Sequence, residues 1–79
     1  MSKREEILKM IAAKRDRVER AMERADLYTG FDHYVSRGKL VYGPQAKAAL
    51  TRLSKLQRDL RWLELSLYRH DKSNAAIAA

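Results

Sequence analysis

The sequence predicts a mainly α-helical fold, in which two long antiparallel helices at about residues 3–28 and 44–70 are joined by a short connector at 31–42. Apolar residues recur at steps of three and four in both long stretches, which is the spacing of an amphipathic helix. Between them, Gly43-Pro44 interrupts the helical pattern and places proline where helices often begin. The connector is short enough for the second helix to fold back along the first.

The chain length allows one domain. Its 79 residues leave no room for two hydrophobic cores. The helical pattern is lost near the end of the chain, so we expect a single helix–hairpin–helix domain at 1–72 and a disordered tail at 73–79.

The first helix is expected to begin at Ser2, whose hydroxyl can cap the amide of Glu5. Either Lys14 or Arg15 interrupts the apolar stripe and is expected to pack its aliphatic stem at the stripe's edge. Gly30 is a candidate for the residue that ends the helix. The apolar stripe consists of Ile7, Ile11, Val18, Met22 and Ala25.

The connector is rich in aromatic and β-branched residues on both sides of Ser36-Arg37-Gly38. This pattern predicts a short β-hairpin with Gly38 at a positive-φ turn position. The alternative is an irregular connector, with one helical turn capped by Asp32 and then an extended run. The aromatic residues are expected to pack the hairpin onto the helices, and the alternative is that they stack on nucleic-acid bases. These aromatic residues are Phe31, Tyr34 and Tyr42.

The second helix carries an unbroken stripe of apolar residues with coiled-coil spacing, here called the leucine stripe. Its members are Ala46, Ala49, Leu53, Leu56, Leu60, Leu63 and Leu67. We expect this stripe to pack on the first helix. The predicted contacts across the pair are Ile11, Val18, Met22, Leu53, Leu60 and Leu63.

The formal net charge of +7 is distributed unevenly, because no acidic residue occurs between positions 33 and 58. This distribution predicts a surface that binds nucleic acid or an acidic partner. The alternative is an ordinary solvated helix face. The candidate binding residues are Arg37, Lys39, Lys47, Lys55, Arg58 and Arg61.

A second apolar face follows these cations along the second helix, at Trp62, Leu65 and Tyr68. One partner helix cannot cover this face and the leucine stripe together. We therefore expect it to be a protein interface in a homo-oligomer or larger assembly, anchored by Trp62 and extended by Leu8 and Met10. The alternative is a wide core stripe with Trp62 half-buried at its edge.

The sequence contains no pattern typical of catalysis. It has no cysteine, and its two histidines, His33 and His70, are far apart, so we expect no metal site and no cofactor. No glycine-rich phosphate loop and no nucleophile motif occurs, so we expect no enzyme and no small-molecule substrate. We also expect no signal peptide and no membrane partner, and a cytoplasmic or virion-associated location.

The order of elements across residues 27–63 resembles the gpW family of phage head–tail joining proteins. The resemblance depends on Thr29-Gly30 before the hairpin, on Gly38-Lys39-Leu40-Val41-Tyr42 as its second strand, and on a leucine-patterned second helix. The first helix is longer than the family's, and Gly43-Pro44 replaces the usual threonine-led cap. The resemblance implies a helix–hairpin–helix fold, and a ring of copies that contacts a DNA channel and tail proteins.

Three functions are compatible with these features. The first is a non-enzymatic assembly protein, such as a phage head–tail connector or similar virion component, that forms multimers and faces nucleic acid or an acidic partner. The second is a small basic regulatory module that binds nucleic acid. The third is a helical-hairpin adaptor or inhibitor that binds a host protein.

Overall fold

The computed structural model describes the backbone of residues 2–78 and the side chains of residues 2–75. Helix α1 spans Lys3–Phe31, strand β1 His33–Ser36, strand β2 Lys39–Tyr42 and helix α2 Pro44–Ala78. The two strands form an antiparallel hairpin, and the two helices pack side by side. The predicted fold class of two long helices joined by a short β-hairpin is confirmed.

Helix α1 begins where the sequence predicts and ends later. The Glu5 amide donates to the Ser2 hydroxyl over 3.2 Å, which is the expected N-terminal cap. The helix passes through Gly30 and ends at Phe31, three residues after the predicted end at about residue 28. Its last turn is closed by the Asp32 amide, which donates to the carbonyl of Tyr28 over 2.7 Å.

The connector is the predicted β-hairpin. Its two turn residues, Arg37 and Gly38, both have positive φ, at 54° and 75°. Two positive-φ residues between the paired Ser36 and Lys39 are the requirement of a type I′ turn, whose twist matches that of the strands. The alternative of a helical turn at this position is therefore wrong.

Asp32 joins the end of α1 to the beginning of α2. Its carboxylate accepts a hydrogen bond of 2.8 Å from the amide of Ala46, one of the free donors in the first turn of α2. Its carbonyl accepts a second bond of 2.8 Å from the amide of Gly43. A Cβ atom at Gly43 would collide with the Asp32 carboxyl group and push it away from the Ala46 amide. We call this arrangement of Asp32, Gly43 and Ala46 the aspartate clasp.

Helix α2 begins at Pro44, as predicted, but continues to Ala78. The predicted end at residue 70 is wrong, and residues 73–78 are helical where a disordered tail was predicted. Position 79 lies outside the described residues. No glycine or proline follows Pro44, and the final segment is rich in alanine, the strongest helix former.

Two ion pairs define the antiparallel register of the helices. Arg4 Nε lies 3.0 Å from an oxygen of Asp71, and Lys14 Nζ lies 3.8 Å from an oxygen of Asp59. Lys14 is the less exposed partner of its pair, with a side-chain exposure of 21%. The expected cation at the edge of the α1 stripe is therefore Lys14.

The core between the helices is small and consists mainly of alanine. Among the described residues, the buried apolar side chains are Ile11, Val18, Ala21, Ala25, Ala46 and Ala49. Met22 was predicted to belong to this core but is 47% exposed. Leu53, Leu60 and Leu63 are only half-buried. With two helices in one layer, side chains at the edges of each stripe have no third element to cover them.

The molecule is elongated and exposes much surface. It measures 61 × 23 × 13 Å, and its radius of gyration is 18.0 Å. A compact domain of this length has a radius of about 12 Å. The accessible surface is 6476 Å², against about 4,900 Å² for a compact monomer of the same mass. The chain therefore exposes roughly 1,500 Å² more than its mass requires.

The aspartate clasp generates a first prediction. Asp32→Ala removes the acceptor of the Ala46 amide and should lower the free energy of unfolding by about 0.5–2 kcal/mol. Asp32→Asn keeps an acceptor oxygen and should cost less. Chemical denaturation followed by circular dichroism measures the difference.

The matched control is Asp26→Ala, which removes an exposed aspartate from the same helix. Equal stability of the Asp26→Ala and Asp32→Ala variants would contradict the clasp.

Gly43→Ala should also destabilise the protein, but by less when Asp32 is already alanine, because the colliding carboxyl group is then absent.

The alanine core generates a second prediction. Ala46 has no exposed surface, so Ala46→Leu adds volume between helices that cannot separate without breaking the clasp. We expect a loss of about 1–3 kcal/mol in unfolding free energy. Ala48→Leu, at an exposed position of the same helix, is the control and should be nearly neutral. A neutral Ala46→Leu would show that the helix pair is loosely packed at this end.

Candidate functional site

The predicted cationic residues are all exposed. Arg37 and Lys39 belong to the hairpin tip, and the other four residues follow the outer face of α2, away from α1. From Lys47 to Arg61 the helix rises about 21 Å. Lys55 and Arg58 line a common depression, which is shallow. The surface is therefore an extended row of charges on a convex helix.

A more concentrated basic site lies between the two helices. Arg17, Arg20 and Arg24 of α1 face Arg52 of α2 across a concavity of about 560 Å³, which we call the arginine groove. Its lining also includes Ala21, Ala49 and Leu56. The two alanines are buried, and their small side chains leave the space that the groove occupies.

This groove was not among the features that the sequence predicted. Its α1 residues follow one another at steps of three and four, which places them along the same edge of the helix. That spacing was the available signal. The signal is weak because acidic residues alternate with the arginines along the sequence, so this part of the chain has little net charge.

The groove lining contains none of these acidic residues. Glu19, Glu23 and Asp26 are exposed outside it, and no acidic residue lines the groove itself. Among the described ion pairs, one involves a groove residue: Arg20 Nη2 lies 2.6 Å from an oxygen of Asp16. Arg17, Arg24 and Arg52 belong to none of those pairs.

The groove continues toward the hairpin end of the helix pair. Arg24 and Arg52 also line a second, adjoining depression with Tyr28 and Gln45. The half-buried Tyr28 ring packs against Phe31, with ring centroids 5.3 Å apart. One end of the groove thus offers an aromatic ring beside two arginines.

The predicted apolar face lies outside the contact between the helices. Trp62 is 59% exposed, Leu65 37% and Tyr68 61%. Leu8 adjoins the face, since it lines a depression with Tyr68. Met10 does not extend the face, because α1 places it on the other side, beside Leu63 and His70. The alternative of a half-buried Trp62 at the core edge does not fit its exposure.

The aromatic residues of the connector do not pack the hairpin onto the helices as expected. Phe31 and Tyr34 are each 57% exposed, Tyr42 is 36% exposed, and Val35 is 72% exposed. The hairpin stands at the end of the helix pair, where β2 contacts α2 but most hairpin side chains stay exposed. Its aromatic side chains are therefore available to a partner.

The two histidines have separate local environments. His33 Nδ1 lies 2.8 Å from the carbonyl of Thr29, and His70 Nδ1 lies 3.3 Å from the amide nitrogen of Asn74. Across the described part of the chain, no group of three or more histidine, cysteine or acidic residues is arranged to hold a metal ion. No helix within residues 2–78 is long and apolar enough to cross a membrane.

No protein-family model, no curated protein and no solved structure matches the chain significantly. The assignment of a function therefore depends on the surfaces of the molecule itself.

Proposed function

We propose that the protein is a non-enzymatic structural protein that assembles into multimers and faces nucleic acid or an acidic partner. The specific form of this proposal is a phage-type head–tail connector or a similar virion component. The observation that carries it is the excess of exposed surface on a chain with a very small core.

The surface excess is large enough for contacts with two neighbours. A standard protein interface buries about 800 Å² on each partner. The excess of roughly 1,500 Å² per chain corresponds to about two such contacts. Two different contacts per subunit are what a closed ring of identical copies requires.

The apolar residues are arranged in patches suited to such contacts. Trp62, Leu65 and Tyr68 are exposed on α2, and Leu8 of α1 lines a depression with Tyr68. The uncovered hairpin, with Tyr34 and Val35, is a second candidate at the opposite end of α1. An isolated two-stranded hairpin is marginally stable in water, so a neighbour that covers it would stabilise it.

The layout also supports the phage-connector form of the proposal. The resemblance to the gpW family implies two helices joined by a β-hairpin, and the chain has that layout. The predicted row of cations, from Arg37 to Arg61, would give the part of the assembly that carries this row a positive charge, and that charge would attract a polyanion.

The assembly proposal predicts a change in solution mass. Replacing Trp62 with alanine and Leu65 with serine removes two exposed apolar side chains that α1 does not cover. We expect the wild-type protein to have a multimeric mass by light scattering. The double variant should approach the monomer mass of 9.2 kDa with unchanged helical content.

The matched control is Met22→Ala with Leu27→Ser, which removes two exposed apolar side chains from α1. This variant should keep the wild-type mass. Trp62 is the only tryptophan, so its fluorescence should shift to the blue as concentration rises. A wild-type monomer at all concentrations, or a double variant that keeps the multimeric mass, would overturn the proposal for this face.

A further inference from the structure

We propose that the arginine groove binds the phosphodiester backbone of a nucleic acid. This inference rests on the part of the proposed function in which the protein faces a polyanion. It does not require self-association, because one chain supplies both walls of the groove.

The side chains of the groove have the chemistry that phosphate recognition uses. All four cations are arginines, whose planar guanidinium groups can donate two parallel hydrogen bonds to one phosphate. Arg17, Arg20 and Arg24 follow the helix axis at intervals of about 4.5 and 6 Å. They form a line of donors along one wall, and Arg52 provides a donor from the other.

The charge in the groove is largely uncompensated. Only Arg20 takes part in a described ion pair, with Asp16, and no acidic residue lines the groove. Positive charges that share a concave, partly apolar site focus their field on it. A linear polyanion would relieve the mutual repulsion of these guanidinium groups.

The end of the groove favours nucleic acid over an acidic peptide. Tyr28 lies beside Arg24 and Arg52, where a base adjacent to a bound phosphate could stack on its ring. Gln45 adds donor and acceptor groups of the kind that base edges bond. The side chains of an acidic peptide would use the arginines but would gain nothing specific from the aromatic ring.

The test compares two double variants with the same change in charge. Arg24→Ala with Arg52→Ala removes one arginine from each wall of the groove. Lys55→Ala with Arg58→Ala removes two cations from the outer face of α2. Binding of a short labelled oligonucleotide, as a single strand and as a duplex, is measured by fluorescence anisotropy over a range of salt concentrations.

We expect the groove variant to bind about tenfold more weakly or worse at low salt. The outer-face variant should lose much less affinity, because its two cations line only a shallow depression on a convex helix. The slope of log K against log salt should become shallower in the groove variant by about 1.4 for the single strand or about 1.8 for the duplex. The nucleic-acid form that shows this change is the one that the groove accepts.

A charge-preserving variant separates phosphate recognition from general attraction. Arg24→Lys with Arg52→Lys should keep the wild-type salt slope but lose affinity, because lysine cannot make the paired hydrogen bonds. Circular dichroism should show the same helical content for every variant, since both arginines are exposed.

Three outcomes would overturn the inference, and they differ in what else they contradict. Loss of binding only in the outer-face variant would move the site to α2 and leave a polyanion-binding function intact. Equal affinity for a polyglutamate peptide would replace nucleic acid with an acidic partner. No binding of any polyanion by the wild-type protein would contradict the charged part of the proposed function as well.

Discussion

The hydrogen bond from the Ala46 amide to the Asp32 carboxylate connects the two halves of this fold. It supplies an acceptor to a free amide in the first turn of α2 from a residue at the end of α1. Because both helix ends meet at one side chain, α2 begins close to where α1 ends. Gly43 is part of the same constraint, since a side chain there would occupy the place of the carboxyl group. The ion pairs Lys14–Asp59 and Arg4–Asp71 then continue the register along the helices.

The register places alanine against alanine near the clasp, and this determines both the stability and the surface of the molecule. Ala21, Ala25, Ala46 and Ala49 bury little area but let the helices pack closely. The protein therefore gains little free energy from its own core, while its larger apolar side chains stay exposed. The same small residues leave a concavity between the helices, and arginines line it. The small core and the basic groove thus both result from the packing of alanine against alanine.

Much of the fold could be predicted because its signals are local. The start of α2 follows from Pro44, the turn from Gly38, and the cap of α1 from Ser2. Spacing alone also predicted that Trp62 would lie outside the helix pair. Predictions that needed a distant partner were less successful. The end of α1 was missed because Asp32 closes its last turn and binds Ala46, 14 residues away. The packing of the hairpin aromatics was wrong because spacing does not show whether a covering layer exists.

The candidate sites also divide into those that depend on neighbours in the sequence and those that depend on the fold. The sequence by itself determined the two amphipathic helices, the hairpin between them and the row of cations on α2, because each depends on residues that are neighbours along the chain. The tertiary structure alone decided that Arg52 faces Arg17 and Arg24. The net charge of a sequence segment averages over all sides of a helix. The acidic residues that alternate with these arginines therefore cancel their charge in that average. Only the folded chain brings these arginines to one groove beside a second helix and leaves the acidic residues out of its lining.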